Sequence, residues 1–151
     1  MIKLVAVLVA ITALAHPLVA QQAPRVACLD TARTQWAMTA CASNALKTLD
    51  TVLAHLVAEL HQTLPPAEAL QLDSTQASWV TYTSVQCRLA SSESRDGSAF
   101  PMLVSVCRGS YAAERIKELA PLLCSRTQLG ATPCPAADRY LAEEEVVRPS
   151  R

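Results

Sequence analysis

Six cysteines follow an N-terminal segment with the properties of a secretory leader, and this combination restricts the folds open to the chain. Residues 1–20 hold one positive charge, an apolar run and a small-residue exit, which is the pattern of a signal peptide. The apolar run is shorter than the ~20 residues that cross a bilayer. We expect cleavage after Ala20, with Ala15 as the alternative. The mature protein is then exported, periplasmic or secreted, and has no membrane segment.

An even number of cysteines in a small exported chain indicates a disulfide framework. The cysteine intervals lack the close thiolate pairs of a zinc site. Six cysteines allow 15 pairings, and helix geometry favours the sequential ones. These are Cys28–Cys41, Cys87–Cys107 and Cys124–Cys134. Each bridge would stabilise the fold by about 2–4 kcal/mol, chiefly by restricting the unfolded chain.

The composition of the mature chain favours packed helices. Removing 20 of 151 residues leaves 131, which is enough for one domain. The leader takes one of the 13 basic residues with it, so 12 basic face 13 acidic side chains and the net charge is near −1. Such a chain has no electrostatic basis for binding nucleic acid. Aromatic residues make up 4% of the sequence, so the core must consist of Leu, Val and Ala.

Apolar periodicity predicts three main helices. Apolar residues recur at steps of three and four over residues 34–64, with Thr34 as a candidate N-cap. Pro65-Pro66 ends this helix and begins a second one over about 67–91, with either Tyr82 or Thr83 on its inward stripe. A third helix is expected over about 99–123, weakened at Gly109.

The predicted organisation is one all-α domain, a compact three-helix bundle cross-linked by disulfides. The bundle spans residues 28–123, after the leader and a flexible lead-in at 21–27. Residues 124–151 form a short C-terminal extension closed by the last cysteine pair. Its segment 125–135 is rich in turn residues, and 136–145 is expected to form one short helix, frayed at Glu143–Glu145.

Two groups of motifs stand out over about residues 28–123. The first is Cys28, then Met38-Thr39-Ala40-Cys41, Asp50 and Leu53. The second is Gln76-x-x-Trp79-x-x-Tyr82-x4-Cys87, Gly97-Ser98, Pro101-Met102, Cys107 and x7-Arg115. Together they resemble the lysozyme-inhibitor LprI N-terminal-type domain family. The chain resembles a divergent member, since it departs from the family pattern at Ala54, Val57, Thr83-Ser84 and Ala112. The resemblance implies an exported, disulfide-linked helical domain whose best-known activity is inhibition of lysozyme.

The loop between the second and third helices is the candidate site for a partner. Its polar residues are Ser94, Arg95, Asp96 and Ser98, and the Cys87–Cys107 bridge would close its base. A lysozyme cleft holds two carboxylates, and an arginine on a preorganised loop would complement them. The alternative is that this loop is an ordinary solvent-exposed connection with no binding role. The acidic run Glu143–Glu145 is a weaker candidate that could attract a basic lysozyme.

Other polar and aromatic residues have structural interpretations. Asp50 is a candidate buried anchor, paired with Arg115 or Arg88. Trp79 is expected in the core, whereas Tyr82 could lie in the core or bind a partner. His55 and Glu59 could share a helix face, but two ligands do not make a metal site.

The sequence therefore predicts a non-enzymatic binding protein without cofactor or metal. No nucleophile motif is present in the sequence, and the cysteines are assigned to bridges. The expected partner is a protein, either lysozyme or another cell-wall enzyme, bound by occlusion. The alternative is a periplasmic or secreted protein-interaction module of the cell envelope with no lysozyme activity.

Overall fold

The computed structural model describes residues 27–124 and 134–147. The predicted leader (1–20), the lead-in apart from Ala27, and residues 125–133 lie outside the described residues, as do the side chains of Glu143–Glu145. The described residues form five α-helices: α1 (Ala27–Thr31), α2 (Gln35–Thr63), α3 (Pro66–Ala90), α4 (Phe100–Leu119) and α5 (Pro135–Val147). Two 3₁₀ turns, Ser92–Ser94 and Ala120–Leu123, complete them, and these segments contain no strand. The prediction of an all-α fold is confirmed.

Helix α2 forms where local signals predict it. The Thr34 side chain accepts a hydrogen bond from the backbone N–H of Ala37 at 3.1 Å, so Thr34 is the N-cap, as predicted. At the other end Leu64 is extended, as expected for a residue that precedes proline. The buried residues of α2 follow the predicted spacing from Ala42 to Leu60.

The three long helices alternate in direction, so α2 and α4 run parallel and α3 runs antiparallel to both. Gln35 contacts Met102 near the start of α2 and α4, and Asp50 contacts Arg108 further along both. The face that α4 buries consists largely of small residues: Gly109, Ala112 and Ala113. Such residues let two helix backbones approach closely, and α2 with α4 forms the most extensive helix contact in the fold.

One hydrophobic core joins α2, α3, α4 and α5. Leu56, Leu60 and Ile116 are fully buried at its centre. Helix α5 contributes Ala137 and Tyr140 to the same cluster. The C-terminal extension therefore packs onto the bundle rather than standing apart from it.

One choice that the sequence prediction left open is settled by the structure, and two details differ from the prediction. On α3, Thr83 is the buried residue of the undecided pair and Tyr82 is 56% exposed. Helix α4 ends at Leu119 and continues as a 3₁₀ turn, since Pro121 offers no N–H to the helix. The short helix α1 was not predicted, because a helix of five residues carries too little periodicity to detect.

The six cysteines lie in three pairs at disulfide distance. The Cα atoms of Cys28 and Cys41 are 5.9 Å apart, those of Cys87 and Cys107 are 5.6 Å apart, and those of Cys124 and Cys134 are 6.2 Å apart. The pairs join α1 to α2, α3 to α4, and the end of the bundle to the start of α5. Within residues 27–124 and 134–147, no helix combines the length and the apolarity needed to cross a bilayer.

Candidate functional site

The loop at residues 91–98 lies at one end of the bundle, between α3 and α4. Cys87 in the last turn of α3 pairs with Cys107 in α4, so the base of the loop is covalently closed. Cys87 is fully buried. A loop held in this way from a packed base is a suitable platform for binding groups.

Backbone hydrogen bonds fix the conformation of this loop. The N–H groups of Ser94, Arg95 and Gly97 donate to the carbonyls of Ser91, Ser92 and Ser94 at 3.0, 3.2 and 2.8 Å. Gly97 lies close to the turn that precedes it, because a Cβ built on it would stand 3.3 Å from the Ser94 carbonyl oxygen. The chain therefore turns tightly around Ser94, and less conformational freedom is left to lose when a partner binds.

The structure brings the four predicted loop residues together on this turn. Arg95, Asp96 and Ser98 are exposed, and Ser94 is half-buried. In the part of the chain that the structure describes, Arg95 and Asp96 form no ion pair with each other or with a third residue. The Arg95 guanidinium is thus available to a carboxylate outside the protein.

Trp36 is a candidate binding residue that the sequence analysis missed. It lies in the first turn of α2 and is 81% exposed. Its neighbour Gln35 contacts Met102 in the first turn of α4, directly after the loop, so Trp36 and the loop share one end of the bundle. We call this end, defined by Trp36 and residues 91–98, the loop end. The sequence indicates that Trp36 is exposed, because this residue does not lie on the apolar stripe of α2 that begins at Met38.

The predicted partner of Asp50 was wrong. Its carboxylate lies 3.7 Å from Arg108, and neither Arg115 nor Arg88 reaches it. The Arg115 guanidinium instead donates to Gln76 of α3 at 3.2 Å and to Glu118 at 3.0 Å. Arg115 therefore links α4 to α3 through hydrogen bonds. The axial offset between the parallel helices α2 and α4 places Arg108, and not Arg115, opposite Asp50.

The two aromatic residues predicted on α3 differ in environment. Trp79 is half-buried and packs against the hydrophobic core. Tyr82 is exposed, and its ring meets that of Tyr111 edge-on with 5.9 Å between the ring centres. Tyr82 thus helps to hold α3 against α4 while presenting one side to solvent.

The His55–Glu59 pair does not form a metal site. Glu59 accepts a hydrogen bond from the Tyr140 hydroxyl at 2.6 Å and also pairs with Arg139. His55 is exposed on α2. Among the described residues no three His, Cys, Asp or Glu side chains converge as metal ligands would.

These features define a class of protein, a small helical domain cross-linked by cystines that exposes polar side chains and a tryptophan at one end. The family described as "Lysozyme inhibitor LprI" matches residues 28–119, which is more than half of the chain. The protein belongs to this family. Disulfides and family together indicate an extracytoplasmic protein.

One curated relative and the solved structures add little to the family match. The chain is 42% identical over 52 residues to "Uncharacterized protein R02472" of Rhizobium meliloti (strain 1021). That stretch is 34% of this chain and 37% of the relative, so the chain spans well under half of the relative's length. No solved structure matches the chain.

Proposed function

We propose that this protein is an exported lysozyme inhibitor that acts by occlusion, with the loop end as its contact surface. The observation that carries the proposal is the exposed Arg95 without an ion-pair partner among the described residues, on a loop whose base is closed by the Cys87–Cys107 pair. Family membership supports a lysozyme as the target. The protein blocks the enzyme by filling its cleft and carries out no chemistry.

Charge and shape favour this mode of binding. The catalytic cleft of a lysozyme contains two carboxyl groups. An arginine presents five N–H donors in a planar fork, so the Arg95 guanidinium can bind a carboxylate through two parallel hydrogen bonds. Since the loop is already turned by its own backbone bonds, little ordering entropy is lost on docking.

Trp36 supplies the apolar part of the same surface. Tryptophan and arginine are the residues most often found at the energetic centre of protein interfaces. A tryptophan that is 81% exposed leaves most of its ring in water until a partner covers it. Trp36 and Arg95 together provide an apolar anchor and a charged one at a single end of the bundle.

Export is part of the proposal. The leader pattern of residues 1–20 supports it, and so do three cysteine pairs at disulfide distance, which persist in an oxidising compartment. Secretion of the processed, oxidised form by the native host, read by mass spectrometry of the exported fraction, tests this part on its own.

Inhibition is tested by titrating the oxidised protein into a lysozyme cell-wall clearing assay. We expect stoichiometric inhibition, weakened at least tenfold by Arg95→Ala and by Trp36→Ala. The matched controls lie at the opposite end of the bundle: Arg139→Ala removes an exposed arginine, and Leu70→Ala truncates an apolar side chain that is 69% exposed. Both controls should inhibit as the parent does.

Two results would count against the proposal in different ways. No inhibition at a large molar excess would remove lysozyme as the target and favour an envelope interaction module that binds another protein. Inhibition that survives both loop-end substitutions would keep the target and move the contact surface elsewhere on the bundle.

A further inference from the structure

A groove of about 470 Å³ runs along the side of the bundle, between α2 and α3, away from the loop end. The α2 wall is aliphatic apart from Asp50, and the α3 wall includes Trp79 and Val80. Val80 is 48% exposed, so the groove leaves apolar surface open to solvent. Its volume is in the range of ordinary ligand sites, about 300–1,000 Å³. The aliphatic residues of the α2 wall are Leu53, Ala54, Val57 and Ala58.

Most polar groups of the groove are satisfied within the protein. Gln76 accepts a hydrogen bond from Arg115 at 3.2 Å, and the Thr83 hydroxyl donates to the carbonyl of Val80 at 3.3 Å. These side chains stabilise the α3 wall and have limited capacity for a ligand. Apart from the Nε2 group of Gln76, the polar capacity that the groove leaves open to a ligand is concentrated in one place.

That place is the Asp50–Arg108 pair. The two charged groups lie 3.7 Å apart, which is beyond hydrogen-bond distance, and both are more than half buried. Within residues 27–124 and 134–147, neither side chain makes a hydrogen bond to another protein group. The groove thus offers a ligand a carboxylate that can accept a hydrogen bond next to a guanidinium that can donate one.

Charge complementarity identifies the occupant. A free carboxylate would meet Asp50, and a free ammonium would meet Arg108, so a singly charged ligand gains from one partner and is repelled by the other. In an extended peptide the backbone N–H and C=O of one residue point to the same side, so they offer one donor and one acceptor next to each other and can satisfy both groups without a net charge. Burial raises the pKa of Asp50, which is consistent with a site poorly hydrated enough for such hydrogen bonds to be strong.

We propose that this groove binds a short extended peptide segment of a partner protein, with an aliphatic side chain between α2 and α3 and the backbone N–H and C=O of one residue against Asp50 and Arg108. The site is separate from the loop end, and it does not depend on lysozyme being the partner. Arg108 also lines the adjacent hollow formed by Ser84, Arg88 and Phe100, so the bound segment can continue towards the loop end of the molecule.

The test uses the fluorescence of Trp79, which lines the groove, in a Trp36→Phe background that removes the other tryptophan. The probe is acetyl-Leu-Leu-amide, titrated into the oxidised full chain. We expect a saturable blue shift, because the leucine side chains displace water from the Trp79 ring. Acetyl-Gly-Gly-amide, which has the amides without the aliphatic groups, should give no saturable shift.

Two variants locate the bound probe. Ala54→Phe fills the groove from an exposed position and should weaken binding at least tenfold, whereas Ala77→Phe, on an exposed part of α3 outside the groove, should leave it unchanged. Arg108→Gln should weaken binding several-fold, because one of the two polar contacts is altered. Circular dichroism checks that every variant is folded.

Three outcomes would overturn the proposal. The first is the absence of a saturable shift with acetyl-Leu-Leu-amide. The second is a shift that Ala54→Phe does not weaken. The third is tighter binding of decanoate than of the peptide, lost in Arg108→Gln, which would make the ligand an apolar carboxylate. None of these results bears on the clearing assay, so the groove and the loop end are tested independently.

Discussion

The carboxylate of Asp50 on α2 faces the guanidinium of Arg108 on α4 at 3.7 Å, a separation that leaves an ion pair without a hydrogen bond. Burial raises the pKa of Asp50, and the positive charge of Arg108 offsets that rise only in part. The charged form of Asp50 is therefore less favourable in the folded protein than in the unfolded chain. At neutral pH Asp50 therefore does not stabilise the folded protein, despite its ion pair with Arg108.

Asp50→Asn is expected to preserve or slightly raise the melting temperature at neutral pH. Since the folded pKa is the higher one, the stabilising effect of Asp50 is present below its unfolded pKa and is lost as the pH rises through the folded value. The gain at about pH 7 should be under about 1 kcal/mol because both side chains remain partly solvated. Thermal unfolding between about pH 4 and pH 7 should show the difference closing as the pH falls.

The matched control for this prediction is the same substitution in an Arg108→Gln background. Among residues 27–124 and 134–147, Arg108 is the only group that opposes the rise in the pKa of Asp50, so without it the gain from Asp50→Asn should be larger. A melting temperature of Asp50→Asn below that of the parent at neutral pH would mean that attraction to Arg108 outweighs burial.

Local sequence signals were sufficient to predict every described helix except the short α1. Thr34 marks the start of α2 and the Pro65-Pro66 pair marks its end, because capping and the missing proline N–H act within one turn. The apolar spacing of α2 predicts its buried face for the same reason. The choice between Tyr82 and Thr83 was beyond this reasoning, since they lie three and four residues after Trp79 and both steps fit a helical stripe. The packing of the neighbouring helices decides which of the two is covered.

The partner of Asp50 could not be predicted because it depends on an axial offset. Arg108 and Arg115 are seven residues apart on α4, so they lie on nearly the same side of the helix, about 10 Å apart along its axis. Periodicity therefore allows either one to face α2, and only the packing of α2 against α4 selects Arg108. The exposure of Trp36 at the loop end, in contrast, could have been predicted, because the apolar spacing of α2 excludes this residue from the buried face.

Removal of the Cys87–Cys107 bridge is expected to destabilise the protein and loosen the loop end. The bridge closes a separation of 20 residues, and its loss should lower the free energy of unfolding by about 3 kcal/mol. Urea unfolding of Cys87→Ser/Cys107→Ser measures this. Hydrogen exchange should accelerate at residues 94–97, whose backbone bonds lie within the closed segment.

The control for the bridge is Cys124→Ser/Cys134→Ser, at the opposite end of the bundle, between the end of α4 and the start of α5. Its exchange rates at residues 94–97 should match those of the parent, although its stability also falls. A peptide mass map of the parent should link Cys87 to Cys107. Free thiols at these two positions, or unchanged exchange in the loop after their replacement, would contradict the prediction.

Tyr140→Phe tests whether α5 stabilises the bundle. The buried Tyr140 donates its hydroxyl hydrogen to Glu59 of α2 at 2.6 Å. The phenylalanine keeps the ring in the core but leaves the Glu59 carboxylate without that donor, so urea unfolding should show a loss of about 1–2 kcal/mol. Tyr82→Phe is the matched control, because that ring is 56% exposed, and it should change the stability by less than about 0.5 kcal/mol.

Replacement by alanine should stabilise the protein at Gly109 but not at Gly97. Gly109 lies inside α4, and a Cβ on it would meet the Leu49 side chain at 3.6 Å, which is ordinary van der Waals contact. The better helix propensity of alanine should therefore raise the free energy of unfolding by about 0.5–1 kcal/mol. At Gly97 the Cβ would stand 3.3 Å from a backbone oxygen that already accepts the hydrogen bond of the Gly97 N–H, so no gain is expected. Urea unfolding of both variants makes the comparison. A destabilised Gly109→Ala would mean that α2 and α4 approach each other too closely for even one methyl group.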